Sequence, residues 1–138
     1  MTKPGERSVL IVDDDPAILA LLSSMLERNG LNVISTNTYE EAIEIANSPE
    51  TRFELLVTDV DLEGMTGPCL ADQIQQVRPG LPVLYMSAFV ELGVIRVEVH
   101  GLTAGRQSVP REKSGDFLYA VRTALRGGFV SSAGSFSY

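Results

Sequence analysis

Three aspartates stand directly after two short apolar runs, where carboxylates are placed to bind a cation. Val9–Val12 runs into Asp13 and Asp14, and Leu55–Thr58 runs into Asp59. Apolar runs of this length between polar residues are typical of buried strands in a parallel sheet. Ligands of open α/β sheets bind just outside the carboxyl ends of the strands, so we expect the carboxylates to share one crevice. Unpaired carboxylates would repel one another there, which favours a hard cation with oxygen ligands, most often Mg²⁺ or Ca²⁺.

Strand and helix signals alternate around these aspartates. Asp15 and Pro16 suit the cap and the first residue of a helix, and Thr38 with Glu41 forms the capping box of a second helix. Val94–Val99 contains more β-branched residues than suits a helix. The predicted strands span residues 7–12, 31–35, 53–58, 81–86 and 102–109. Three predicted helices begin at residues 16, 38 and 68, and a fourth spans residues 116–126.

This alternation predicts one α/β domain over residues 7–126, with a parallel sheet, helices on both faces and right-handed crossovers. Residues 127–138 are rich in Gly and Ser and are predicted to form a disordered tail. A chain of 138 residues with 44% hydrophobic content is long enough and apolar enough to build one real core.

Composition and charge exclude several classes of function. The net charge of −7 argues against direct binding of nucleic acid, because phosphate backbones are bound by basic surfaces. The apolar runs are too short to span a membrane. A secretion signal would need a basic segment followed by an apolar one, and the sequence shows no such pattern. The single cysteine, Cys69, cannot form an internal disulfide, so a cytoplasmic location is expected. Its place on an apolar helix predicts a small core residue.

The order of the acidic and hydroxyl residues resembles that of response-regulator receiver domains, and the resemblance covers residues 7–126. The segment 58–67 is similar to that family's phosphoacceptor strand and the loop after it. The resemblance implies a flavodoxin-like, doubly wound α/β fold with three layers, α/β/α. The middle layer is a five-stranded parallel sheet of order 2-1-3-4-5. The residues that carry it are Asp13, Asp14, Asp59, Ser87, Ala88 and Pro110.

The resemblance also implies a chemistry for the acidic residues. Asp59 stands at the phosphoacceptor position, where a carboxylate acts as a nucleophile and forms an aspartyl phosphate. Mg²⁺ would be held by Asp14 and Asp59, by Asp13 through a water, and by the backbone carbonyl of Asp61. The expected function is a receiver that accepts a phosphoryl group from a histidine kinase or a phosphotransfer protein. Such a domain catalyses only its own phosphorylation and dephosphorylation.

Further matching positions concern the response to phosphorylation. Ser87 matches the family's switch hydroxyl, which would turn towards the phosphoryl group, and the small Ala88 would leave room for that group. Gly67 matches a loop glycine, for which a positive φ is expected. The signal would pass to a downstream protein partner. A homodimer is a further expectation, through the face formed by the fourth helix, the fifth strand and the fifth helix of the family.

One departure from the family pattern supports an alternative function. Val109 precedes Pro110 where the family has a lysine that pairs with the phosphoryl group. Losing such a charge-assisted hydrogen bond costs roughly 1.5–3 kcal/mol, and Lys113 is a nearby candidate to replace it. The alternative is a pseudo-receiver, a protein-interaction module of the same fold with impaired switching. His100 has no partner at ligand spacing and is interpreted as a surface residue.

A third hypothesis is an enzyme. Asp59 and Asp61 flank Val60 in a pattern that resembles the nucleophile motif of haloacid-dehalogenase-type phosphatases. That motif normally lies on the first strand of its domain and is followed by a later acidic metal-binding pair. After Asp61 the chain has only Asp72 and Asp116 as further aspartates, so the sequence argues against this hypothesis.

Overall fold

A computed structural model of the chain describes residues 7–92, 94–103 and 117–126. The predicted tail at 127–138, as well as Val109, Pro110 and Lys113, lies outside the described residues. The described part contains the strands β1 (Ser8–Val12), β2 (Asn32–Thr36), β3 (Leu55–Asp59), β4 (Asp61–Leu62), β5 (Met65–Thr66), β6 (Val83–Glu91) and β7 (Val94–Thr103), and the helices α1 (Pro16–Arg28), α2 (Tyr39–Asn47), α3 (Gly67–Val77) and α4 (Phe117–Arg126).

Side-chain caps start the first three helices. The Asp15 carboxylate accepts a hydrogen bond from the backbone N–H of Ala17 at 2.9 Å, and the Thr38 hydroxyl accepts one from Glu41 at 3.2 Å. Both caps were predicted from the sequence. Thr66 caps α3 in the same way, with its hydroxyl 3.2 Å from the backbone nitrogen of Cys69. These local contacts decide where each helix begins and therefore where the loops at the sheet edge run.

Five strands form one sheet in the order β2-β1-β3-β6-β7, and β4 with β5 forms a separate two-stranded pair. Apolar residues cover both faces of the main sheet. One core cluster lies between the sheet and helices α1 and α4, and the other lies between the sheet and helices α2 and α3. The predicted three-layer α/β fold and its strand order 2-1-3-4-5 are confirmed, with β6 and β7 as the fourth and fifth strands.

The last strand differs from the prediction in direction and in position. Strands β2, β1, β3 and β6 are parallel, as predicted, whereas β7 runs antiparallel to β6. Because only residues 92 and 93 separate the two strands, they form a hairpin, whereas a parallel pair needs a crossover of a dozen or more residues. The fifth strand begins at Val94 and not at Leu102, so the prediction of a strand over 102–109 is wrong in its start.

The β-branched run in β7 explains why this segment is a strand. Burial alternates along it: Val97 is half-buried and Val99 is buried, whereas Arg96, Glu98 and His100 are exposed. Such period-two alternation suits a sheet surface that is covered on one side only. The core-facing valines join the cluster beneath α1 and α4.

The hairpin also removes a predicted surface. Between β6 and β7, where residues 92 and 94 are described on either side of residue 93, there is no room for a crossover helix. The face expected for pairing, with a helix between the fourth and fifth strands, is therefore not formed between β6 and β7, while a homodimer itself stays a prediction. Among the described helices, none combines the length and the apolar character needed to cross a lipid bilayer.

Candidate functional site

The three aspartates predicted to share a crevice do lie together. Asp13 and Asp14 follow β1, and Asp59 ends β3, which is the parallel neighbour of β1 with Val12 paired to Thr58. One carboxylate oxygen from each of the three aspartates lies within 4.8 Å of the others. Adjacent parallel strands end at the same edge of the sheet, so the register of β1 and β3 is what gathers the charges.

Asp13 is the most buried of the three, with 1% of its surface exposed. One of its carboxylate oxygens, Oδ1, accepts a hydrogen bond from the backbone N–H of Asp15 at 2.9 Å, but the other, Oδ2, is buried without any hydrogen-bond partner. Burial, together with the smaller effect of the charges of Asp59 and Asp14, raises the pKa of Asp13 to about 6, against the opposing hydrogen bond from Asp15. An unpartnered buried oxygen of this kind is costly unless a cation or a donor occupies the crevice.

The other two carboxylates are oriented by backbone groups of the loop after β3. Asp14 Oδ2 accepts a hydrogen bond from the backbone N–H of Glu63 at 3.2 Å, and Asp59 Oδ1 accepts one from Asp61 at 3.1 Å. Burial raises the pKa of Asp59, the hydrogen bond from Asp61 opposes the shift, and the charge of Asp14 adds to it. The site therefore holds its carboxylates in fixed directions, and the environment of Asp13 and Asp59 disfavours their ionised forms.

Two glycines shape this loop for different reasons. Gly64 has a φ of +88°, which favours glycine, and the ring of Tyr39 would lie 3.1 Å from a Cβ at this position. Gly67 does not have a positive φ, so that prediction is wrong. A Cβ at Gly67 would overlap the backbone carbonyl oxygen of Asp59, and the Gly67 N–H donates to the carbonyl of Val60 at 2.6 Å. Gly67 is required by the close approach of α3 to the end of β3.

The remaining predicted site residues lie around this edge. Asp61 is exposed and pairs with Thr66 in the short β4–β5 pair directly after Asp59. Ser87 follows Met86, the residue of β6 that pairs with Asp59. Ala88 is half-buried and packs against the core cluster beneath α1 and α4. Cys69 is exposed at the start of α3, so its prediction as a core residue is wrong.

Sequence reasoning missed one residue at this edge. His100 is exposed, as predicted, but its ring nitrogen Nε2 lies 2.8 Å from the hydroxyl oxygen of Ser87. The contact depends on the β6–β7 hairpin and on a register shift between Tyr85 and Met86. The β-branched run Val94–Val99 was a usable signal for a strand soon after β6, but nothing in the sequence signals the shift.

Comparison with known proteins decides the family. The family model for the response regulator receiver domain matches residues 9–105. This chain belongs to the response regulator receiver family. Among curated relatives, the transcriptional regulatory protein GlrR of Escherichia coli K12 is 34% identical over 80 residues, which are 58% of this chain and 18% of that protein. The transcriptional regulatory protein PhoP of Bacillus subtilis, named for alkaline phosphatase synthesis, is 34% identical over 82 residues, 59% of this chain and 33% of that protein.

Solved receiver structures share the fold. A receiver domain protein from Methanospirillum hungatei, described as CheY-like, has a TM-score of 0.56 and 30% identity, with 64% of this chain and 69% of that chain covered. The receiver domain of the hybrid histidine kinase CckA has a TM-score of 0.53 and 28% identity, with 56% and 72% covered. Receiver domains of this family are generally signalling domains and not enzymes, and they interact with histidine kinases or phosphotransfer proteins.

Receiver domains typically bind Mg²⁺ in an acidic pocket, and the residues of this chain fit that ion. Asp13, Asp14 and Asp59 offer hard oxygen ligands within reach of one another, which is the donor set that Mg²⁺ prefers. The unpartnered Oδ2 of Asp13 is the strongest sign of fit, because a bound cation would satisfy that oxygen.

Proposed function

We propose that this domain accepts a phosphoryl group on Asp59 from a histidine kinase or a histidine phosphotransfer protein, with Mg²⁺ as cofactor. The observation that carries the proposal is the cluster of Asp13, Asp14 and Asp59 with one buried carboxylate oxygen left without a partner. Gathering three carboxylates destabilises the fold in the absence of a cation. In a phosphoryl-transfer site the same arrangement is useful, because the cation and the acceptor must lie side by side.

In the proposed reaction, a carboxylate oxygen of Asp59 attacks the phosphorus atom of the donor. An O–P bond forms while the P–N bond of the phosphohistidine breaks, and the donor nitrogen keeps the bonding electron pair and takes up a proton. Asp59 acts as the nucleophile, and its hydrogen bond from the Asp61 N–H orients the carboxylate. Gly67 lets α3 begin close to the Asp59 backbone, which fixes the start of the loop.

Asp13, Asp14 and Asp59 would hold Mg²⁺, with the backbone carbonyl of Asp61 as a further ligand. When bound, the ion supplies positive charge that offsets the negative charge gathered during phosphoryl transfer. Burial and the charge of Asp14 raise the pKa of Asp59, and a bound cation would oppose this rise and favour the ionised carboxylate, which is the nucleophilic form. Ser87 would then donate its hydroxyl to the phosphoryl group, and Ala88 would leave space beside it. The change in shape would be read by a downstream protein partner.

A second candidate is the pseudo-receiver, a binding module of the same fold that does not depend on phosphorylation. The observation in its favour is the antiparallel hairpin of β6 and β7. It replaces the parallel crossover expected in the region that should change shape on phosphorylation. Val109 at the family's lysine position argues in the same direction.

The test is the intact mass of the protein after incubation with Mg²⁺ and acetyl phosphate. We expect a phosphoryl adduct on the parent, none on Asp59→Asn, and an unchanged adduct on Asp72→Asn, a control at an exposed carboxylate of α3. An equal adduct on Asp59→Asn would contradict the assignment of the acceptor. The absence of any adduct on the parent, with Mg²⁺ binding measured separately, would favour the pseudo-receiver.

A further inference from the structure

The contact between His100 and Ser87 joins the proposed switch hydroxyl to the β6–β7 hairpin. The ring nitrogen Nε2 of His100 and the oxygen Oγ of Ser87 are 2.8 Å apart, which is a normal hydrogen-bond length. His100 is the single histidine of the chain. The contact connects two strands whose residues are 13 positions apart, so it forms only when the hairpin is closed.

The register shift in the hairpin places His100 at this point. Met86 pairs with Val99 and Tyr85 pairs with Gly101, so His100 has no partner residue of its own across the ladder. An extra residue of this kind re-aims a side chain, and such bulges are common beside functional sites. Ser87 itself pairs with Glu98, while the hydrogen bond of its hydroxyl goes to the bulged residue.

A serine hydroxyl has one proton to donate, and this limits what Ser87 does at one time. If the Ser87 O–H donates to a neutral imidazole at Nε2, the same proton cannot be donated to a phosphoryl oxygen. Engagement of a phosphoryl group on Asp59 would therefore break the bond to His100. The hydrogen bond between Ser87 and His100 would hold β6 near Asp59 to the bulge of β7 in the unphosphorylated state. In the phosphorylated state this bond would be absent.

We propose that His100 is a positioning residue that holds the Ser87 hydroxyl in the unphosphorylated state, and that phosphorylation releases His100 from it. This proposal rests on the proposed function of Asp59. The β6–β7 hairpin is then the element through which the domain reports phosphorylation, and the imidazole of His100 is the group whose partner changes. The proposal requires the neutral tautomer with its proton on Nδ1 in the resting protein, since Nε2 must accept.

Nitrogen NMR of the imidazole reads this tautomer directly, and the single histidine makes the assignment unambiguous. At about pH 8, where an ordinary imidazole is neutral, we expect the Nδ1–H tautomer in the resting parent. Ser87→Ala should shift the population towards the Nε2–H tautomer, whereas Ser35→Ala, at an exposed serine of β2, should leave the spectrum unchanged. Identical spectra of the parent and Ser87→Ala would overturn the contact and with it the proposal.

Adding Mg²⁺ with beryllofluoride, a phosphoryl mimic, tests the release. We expect the parent to take on the spectrum of Ser87→Ala, and Ser87→Ala to show no further change at Nε2. A parent that binds the mimic, as measured by a rise in Tm, but keeps its resting spectrum would overturn the proposal. A parent that fails to bind the mimic would contradict the proposed function and the release together, while the Ser87→Ala comparison would still decide whether the resting contact exists.

Affinity for the mimic separates this role from a direct contact with phosphate. His100→Ala should bind beryllofluoride about 2- to 10-fold more tightly than the parent, the range expected for one neutral hydrogen bond no longer broken on binding. His100→Phe, which keeps a ring without an acceptor, should do the same, and Glu98→Gln, an exposed neighbour on β7, should not. Weaker binding by both His100 variants would show that the imidazole itself contacts the phosphoryl group, which would overturn the proposal.

Discussion

The aspartate edge, formed by Asp13, Asp14 and Asp59, and the β6–β7 hairpin are held together by different kinds of contact. At the aspartate edge each carboxylate is oriented by a backbone N–H within the loops that follow β1 and β3. At the hairpin, the hydroxyl of Ser87 is held by the side chain of His100 on the next strand. The first region depends on strands that end at one edge, and the second depends on the register of one hairpin.

This difference separates the chemistry of the domain from its response. The aspartate edge has what the proposed phosphoryl transfer needs, namely ligands for the cation, an acceptor and fixed backbone donors. The hairpin contributes only the switch hydroxyl and the residue that holds it. A change in the hairpin should therefore alter the response while leaving the binding of Mg²⁺ intact, whereas a change at the aspartates should abolish both.

The largest expected effect comes from Asp13→Asn, which tests the aspartate edge. Because burial raises the folded pKa to about 6 from 3.8, the folded protein without Mg²⁺ holds the extra proton more tightly than the unfolded chain. The contribution of Asp13 to the free energy of unfolding should therefore be fully present below pH 4 and fall as the pH rises through 6. Asp13→Asn should remove this fall and be more stable than the parent at neutral pH without Mg²⁺.

Mg²⁺ should reverse the ranking of the two proteins. At a hundred times its Kd, the ion should stabilise the parent by about 2.7 kcal/mol, and Asp13→Asn should lose most of this gain. Thermal unfolding from pH 4 to pH 8, with and without Mg²⁺, measures both effects. Asp72→Asn, at an exposed site, is the control and should follow the parent. A stability difference between the parent and Asp13→Asn that does not change between pH 4 and pH 8 without Mg²⁺ would contradict the account of Asp13.

Gly67→Ala sharpens the same side of the comparison. The added methyl group would overlap the Asp59 carbonyl, so the start of α3 must move, at a cost of about 1–3 kcal/mol. The loop that orients Asp59 should shift with it, and the rise in Tm caused by Mg²⁺ should become smaller. Gly80→Ala is the matched control: its φ of +83° makes alanine strained, but no atom lies within 4 Å of the new Cβ. It should cost about 1 kcal/mol and keep the full response to Mg²⁺.

The part of the molecule that could be predicted from sequence is the part built from local signals and strand ends. The caps at Asp15 and Thr38 and the meeting of Asp13, Asp14 and Asp59 follow from short-range patterns. The direction of β7 was missed because the fourth strand was predicted to end at residue 86 and the fifth to begin at residue 102, a gap long enough for a crossover, whereas only residues 92 and 93 separate β6 from β7. The contact of His100 with Ser87 could not be predicted, because it depends on a one-residue register shift for which the sequence has no recognisable signal.

The smallest expected effect concerns the turn that makes the hairpin. Leu92 has a φ of +52°, a region that costs a leucine roughly 1–2 kcal/mol, and its side chain is 98% exposed, so no burial offsets the strain. Leu92→Asn should stabilise the fold by about 0.5–1 kcal/mol, because asparagine adopts this conformation more readily. Chemical denaturation measures the gain, and Leu21→Asn, at a 42% exposed leucine inside α1, should instead destabilise.

The response to Mg²⁺ should be the same in Leu92→Asn as in the parent, since the turn lies outside the aspartate edge. The resting contact of His100 with Ser87 should become more populated, because a more stable turn favours the closed hairpin. Release by beryllofluoride should then need a higher concentration of the mimic. A Leu92→Asn protein that loses stability would show that the turn does not hold the hairpin. If the variant is more stable but has an unchanged imidazole spectrum, the bulge at His100 is set by the pairing of β6 with β7 independently of the turn.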